Sequence, residues 1–226
     1  MPSNSNAIIN CKHLPDFDAD NWESIATAFS GAQPLHYAQD WLPENESRFQ
    51  PATAFLGWRE DALWIYGELH DVDIFNDATH LNQETYLLGD AFEIFFRPFP
   101  ASPSTTWFEF HVTPENQKLQ LRWPDTRKAV KPTFDKYGLP HFFIPKIAFE
   151  SRVQVLQDEN KWRVLVKLPA QTLIEKSCIV AGDEWLISLA RYDYTRGEDE
   201  PILSSTSAYT IPSFDRQEDW SRVIFE

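Results

Sequence analysis

The chain is poor in glycine, with seven residues in 226, and carries no GxGxxG, GxxxxGK[ST] or GxSxG pattern. The usual signatures of dinucleotide binding, phosphate cradling and serine hydrolysis are therefore missing. Only two cysteines occur, Cys11 and Cys178, and they can pair only if folding brings their Cα atoms within about 7 Å. Basic residues are in deficit, 20 Lys and Arg against 34 Asp and Glu, for a net charge of −14. No basic stripe is available to follow a phosphate backbone, so nucleic acid is excluded as an expected partner. No apolar run approaches the roughly 20 residues of a membrane span. The opening MPSNSNAIINCKH lacks a basic-then-apolar leader pattern, so the expected location is cytoplasmic, or secreted after processing. Nothing in the sequence sets the oligomeric state.

What is abundant is aromatic: 15% of residues, nine of them Trp. The dominant period is two. Leu63, Ile65 and Leu69 alternate with Trp64, Tyr66 and Glu68. Phe92, Ile94 and Phe96 alternate with Glu93 and Arg97, and Phe108, Phe110 and Val112 with Trp107, Glu109 and His111. In Gln117–Trp123 the same pattern predicts Leu119, Leu121 and Trp123 inward. After a polar, proline-marked stretch, Arg152–Gln157 and Lys161–Leu168 read as a hairpin turning at Asp158–Asn160. Glu184–Tyr192 and Ser221–Phe225 complete the strands. Helix is thin: Asp20–Phe29, and a turn over Ala170–Glu175. Short strands without alternating helices predict an all-β antiparallel sandwich of immunoglobulin or jelly-roll type, a single domain with little helix.

Trp58-Arg-Glu-Asp-Ala-Leu-Trp-Ile-Tyr66, His70-Asp-Val-Asp73 and Gly89-Asp-Ala-Phe-Glu-Ile-Phe-Phe96 follow in order, and Trp107-Phe-Glu-Phe-His-Val112 runs into Thr113-Pro-Glu-Asn116. With Leu168-Pro169, Arg191-Tyr-Asp193 and Phe214–Trp220, these blocks resemble family 9 carbohydrate-binding modules, part of a wider group of sandwiches that includes the DOMON domains. The resemblance covers residues 51–226 and leaves 1–50 as an N-terminal extension packing on or capping the sandwich. It implies non-catalytic sugar binding, with two aromatic rings flanking a sugar and polar groups from one sheet binding its hydroxyls. The ring positions fall at Tyr86 or Leu87 and at Phe214, where the family pattern has paired Trp. The polar positions fall at Glu93, at His111 (in place of an arginine) and near Tyr192.

The residues themselves leave alternatives open. A sugar site needs a flat ring for the C–H face and polar groups for the hydroxyl rim. Glu93 is a hydroxyl acceptor or an ordinary solvent-facing strand glutamate. Trp107, Glu109 and His111 share a face as a ligand patch or as a cross-strand polar ladder. Arg122, on the next strand, and Arg191 are candidate fork donors beside them, or partners of a Glu–Arg pair within the sheet. The rings expected at the site are Tyr86, Trp107, Phe214 and Tyr194; Trp58, Trp64, Trp162 and Trp185 are expected to pack, and Trp220 to anchor the last strand. The Asp125–Pro145 insert is placed to wall one side.

Asp71, Asp73 and Asp77 form an acidic loop suited to structural calcium or simply to water; no other cofactor is expected. A Met/His haem pair has only Met1 to draw on, outside the matched region. Two alternatives to binding stand: a saccharide-active enzyme using Glu93 and Glu109, and an interaction domain with a degenerate site.

Overall fold

The computed structural model describes residues 7–99, 101, 106–124, 127–174 and 178–226, with backbone only for 127–129. Met1, residues 125–126 of the insert and Glu175 lie outside the described residues. In chain order the elements are β1 (Ile8–His13), α1 (Trp22–Ala28), β2 (Leu35–His36), β3 (Ala52–Arg59), β4 (Ala62–His70), β5 (Ala91–Pro98), β6 (Trp107–Val112), β7 (Lys118–Trp123), α2 (Arg127–Tyr137), β8 (Glu150–Leu156), β9 (Lys161–Pro169), α3 (Ala170–Leu173), β10 (Glu184–Asp193), β11 (Ile202–Ser205) and β12 (Ser221–Phe225).

The strands pair in the order β7-β6-β5-β10-β12-β1-β3-β4-β9-β8, with β11 beside β10 and β2 beside β3. The path curls so that its two halves face each other across the main core. Phe92, Ile94, Phe96 and Phe110 from one half meet Leu63, Ile65, Val164 and Val166 from the other. Phe96 lies stacked between Phe108 at 5.0 Å and Trp185 at 5.7 Å. Trp58, Trp162, Trp185 and Trp220 are buried, each large ring worth a few kcal/mol of burial. Trp64 sits under the edge of Phe17, 5.0 Å away.

The sheet is mixed, which corrects the expectation of a strictly antiparallel one. β1 runs parallel to β12 through Ile8–Cys11 and then parallel to β3 through Lys12 and His13. It hands the chain from one half to the other, with Ile9 and Cys11 buried. Two inward residues are too short a run to announce a strand, and its parallel neighbours are distant in sequence. Other parts of the first 50 residues do cover the sheet: α1, capped by the Asn21 side chain, buries Ile25 and Ala28 against Tyr66 and Leu165. None of the described helices is long and apolar enough to cross a membrane. Both cysteines are free.

A second correction concerns β7. Trp123 opposes Trp107 and Leu121 opposes Glu109, so Leu119, Leu121 and Trp123 lie on the outer face of the first half, away from the main core. They are nonetheless buried, because that outer face is covered. The cover includes α2, an 11-residue helix with Pro132 inside it that ends at Gly138 in a left-handed turn, φ +73°. A proline in a helix interior removes a backbone donor and crowds the preceding turn, which is why this stretch reads as loop in sequence.

Candidate functional site: an aromatic groove over a buried acid cluster

β5, β6 and β10 present Glu93, Phe95, Trp107, Glu109 and Tyr192 on the outer face of the first half, and these form the floor of a groove of about 550 Å³. One wall is α2 and the turn after it, contributing Val130, Phe134 and Leu139; the other is Pro212–Asp215 with Phe214. Tyr86 closes one end. The rings form a chain: Tyr192 is 5.9 Å from Tyr86 and 6.1 Å from Phe214, while Trp107 and Trp123 stack at 5.3 Å. Phe134 is the exposed ring of the set, 42% accessible, whereas Phe214 is only 6% accessible and packs on Phe95 and Trp41.

Antiparallel register puts Glu93 directly opposite His111. The imidazole is clasped on both sides. Its Nδ1 lies 3.2 Å from Glu93 Oε1 and 2.9 Å from Thr85 Oγ1; its Nε2 lies 3.0 Å from Glu109 Oε1. The other Glu109 oxygen accepts the Trp123 indole N–H at 2.9 Å. The Glu93 side chain is 98% buried and lines the groove. Burial raises the Glu93 carboxyl to about 8, with the Glu109 charge adding and His111 offsetting part of it. For His111, burial alone favours the neutral ring, but the flanking carboxylates of Glu93 and Glu109 outweigh it and raise its affinity for a proton. Glu93 and His111 thus hold their protons more tightly than they do in water.

Six expected residues, Tyr86, Glu93, Trp107, Glu109, Tyr192 and Phe214, line the groove, and His111 lies beneath it. Tyr194 supports it from outside, its hydroxyl donating to the Tyr86 carbonyl at 2.8 Å. Two expected residues belong elsewhere. Arg122 opposes Phe108 and is exposed on the other face of β7, so it is not across from Glu109 or His111. Arg191 opposes Phe92, pointing away from the groove, and is sealed in ion pairs with Asp71 and Asp193, both at 3.1 Å. A strand places alternate residues on opposite faces, and both arginines fall on the wrong parity.

The expected Asp71, Asp73 and Asp77 set is not assembled. Asp73 pairs with Arg196, and Asp77 is exposed. Asp71 instead joins Asp90 and Asp193, whose carboxylate oxygens lie within 4.8 Å of one another. This set does not fit calcium. The Arg191 guanidinium already lies against two members, and Asp90 spends its oxygens on the backbone N–H groups of Phe75 and Tyr194, both at 2.8 Å. Asp90 is raised to about 9 by burial and by the Asp71 charge, and Asp193 to about 7 by burial, with Arg191 opposing. The cluster ties the acidic loop to the end of β10 behind Tyr192 and Tyr194.

Phe95, Trp123 and Phe134 escaped the sequence reading. Phe95 had a signal: apolar residues on both parities of Phe92–Phe96 mark a strand covered on both faces. Phe134 had none beyond its place in the insert.

No family model matches the chain, and no curated protein matches it. Solved structures do. A Bacteroides uniformis protein proposed to bind carbohydrate aligns over 98% of this chain and 100% of its own, at 10% identity and TM-score 0.70. A family 9 carbohydrate-binding module from Caldicellulosiruptor kristjanssonii, solved with cellotriose, aligns over 97% of this chain and 93% of its own, at 13% identity and TM-score 0.63. The same organism's module solved with glucose aligns over 97% and 95%, at 12% identity and TM-score 0.63. At these identities the likeness is one of fold, and it runs through almost the whole chain, residues before 51 included: the chain has the fold of the family 9 carbohydrate-binding modules.

Proposed function

We propose that the groove binds hexose units of an oligosaccharide and performs no chemistry on them. The observation that carries this is the pairing of ring faces with a buried carboxyl, that of Glu93, in the lining of one groove. Phe134 and Tyr86 offer C–H stacking surfaces, and Glu93 and Glu109 offer acceptors for hydroxyls. The likeness of fold to modules solved with cellotriose and glucose supports the same reading.

A glycoside hydrolase would need its two carboxyls to flank the scissile bond with room for the sugar between them. Here the His111 ring bonds to Glu93 on one side and to Glu109 on the other, and fills that space. This favours recognition over hydrolysis.

Calorimetric titration of the purified chain with cellotriose tests the proposal. Saturable binding is expected, with Phe134→Ala weakening it about tenfold, or about 1.4 kcal/mol. Phe134 is exposed on α2, so the variant should unfold at an unchanged temperature. Absence of binding to cellotriose and to a broader glycan set would overturn the proposal in favour of an interaction domain with a degenerate site. Release of product from a glycan would instead establish the enzyme reading.

A further inference from the structure

The floor of the groove changes character along the strands. Register places Tyr192 opposite Ala91, and in the next row Glu93 opposite His111 and Ala190. Phe95 then stands opposite Glu109, and last Trp107 opposite Trp123. Rows are two residues apart, so the Glu93 row and the Trp107 row lie about 13 Å apart. Tyr86 closes the groove at the Tyr192 end, its ring 5.9 Å from those of Tyr192 and His111. That end is polar. The Glu93 carboxyl, raised to about 8, and the Tyr192 hydroxyl can each donate and accept, as sugar hydroxyls require.

The far end is apolar. Trp107 and Trp123 stack there at 5.3 Å. α2 begins four residues after Trp123, and the turn that follows it, Leu139–Phe142, returns to the same place, with Phe142 4.4 Å from Trp123. This brings Val130 and Leu139 into the lining, with Phe134 at the rim. Glu109, one row nearer the polar end, has one oxygen on His111 and the other on the Trp123 N–H, and the exposed Lys131 and Asp135 lie 3.1 Å from each other. A second hexose at this end would turn its hydroxyl rim toward apolar side chains and lose water without matched partners. An aromatic ring brings no such groups and gains ring contacts with the indoles. Resting on the sugar-binding reading above, we infer that the groove selects aryl glycosides: one hexose at the Tyr86, Glu93 and Tyr192 end, and its aromatic substituent against Trp107, Trp123 and Leu139 at the other.

The test is calorimetry on the full chain with phenyl β-glucoside, methyl β-glucoside, cellobiose and phenol. The phenyl glucoside should bind at least tenfold tighter than each of the other three. Leu139→Ala should cut its advantage over the methyl glucoside to threefold or less; the four-ligand comparison on the unaltered protein keeps the test valid if that variant folds poorly. An advantage below tenfold over the methyl glucoside or over cellobiose overturns the inference and leaves sugar binding standing, cellobiose then showing that the far end takes a second hexose. Phenol binding as tightly as the phenyl glucoside also overturns it, because the sugar would add nothing. A full advantage kept by a folded Leu139→Ala variant overturns the placement of the aromatic ring and the inference with it. Failure of all four to bind while cellotriose binds overturns the inference alone; failure of cellotriose as well overturns both readings.

Discussion

Gly89 shows how much one backbone position can carry. Its φ is +138°, and a Cβ built there would lie 2.4 Å from the Phe75 carbonyl oxygen and 2.7 Å from the Asn76 Cα. Those are backbone atoms, so no side chain can swing aside. The neighbouring Asp90 is held by the Phe75 N–H, and Asn76 donates to the Thr85 and Asp90 carbonyls at 2.9 and 3.0 Å. Gly89→Ala should therefore cost roughly 2–3 kcal/mol, from the strained dihedral and the displaced loop. For a chain of this size that lowers the midpoint of a circular-dichroism melt by about 4–12 °C. An unchanged melt would mean that the loop can shift at little cost. At this scale the sequence was informative about residue type and weaker about direction. Glu93, Glu109 and His111 were readable as one polar face because parity along a strand is rigid. The burial of Glu93 was not, since it depends on an outer face being roofed by segments far away in sequence.

Elements differ in how far their signals reach. β4, β5, β6 and the β8–β9 hairpin are long, rich in apolar residues at period two and locally paired, so their pattern is visible in a short window. β1 and α2 are the opposite cases. β1 shows two buried residues and finds its partners at β12 and β3 by parallel pairing, which leaves no hairpin signature. α2 is interrupted by Pro132 and built on a polar, proline-flanked stretch. Reading the first 50 residues as an extension predicts that removing residues 1–13 trims an appendage. The pairing of β1 predicts otherwise: its loss strips one edge of β12 and the Gly57 and Trp58 end of β3, and opens the main core beside Val223 and Phe225. A chain starting at residue 14 should lose cooperative thermal unfolding, checked by melts and by dispersion of amide NMR signals. Retention of a sharp transition would return β1 to the status of an appendage.

The whole molecule carries a proton balance that runs against the usual one. Surface carboxylates paired with cations make most proteins more stable as pH rises from acid to neutral. Here the strongly shifted carboxyls among the described residues move upward: Glu93 to about 8, Asp90 to about 9 and Asp193 to about 7, all by burial first. His111 moves in the same direction because of its carboxylate neighbours, against its own burial. In the unfolded chain the three carboxyls release their protons near pH 4, and the folded chain still holds them above that. A folded state that binds more protons than the unfolded one loses stability with rising pH, by up to about 1.4 kcal/mol per pH unit for each proton held. The contribution is full below about pH 4 and is lost progressively as pH climbs through the folded values of 7 to 9. The net charge of −14 adds self-repulsion in the same sense as the acids ionise. Urea midpoints should therefore be higher at pH 5.5 than at pH 8.5. Glu93→Gln, which keeps the shape and removes the titration, should flatten the slope between those two values. A midpoint that rises toward pH 8.5 would mean that Glu93, Asp90 and Asp193 sit ionised at neutral pH, held by Arg191 and by the His111 imidazolium more strongly than burial opposes them.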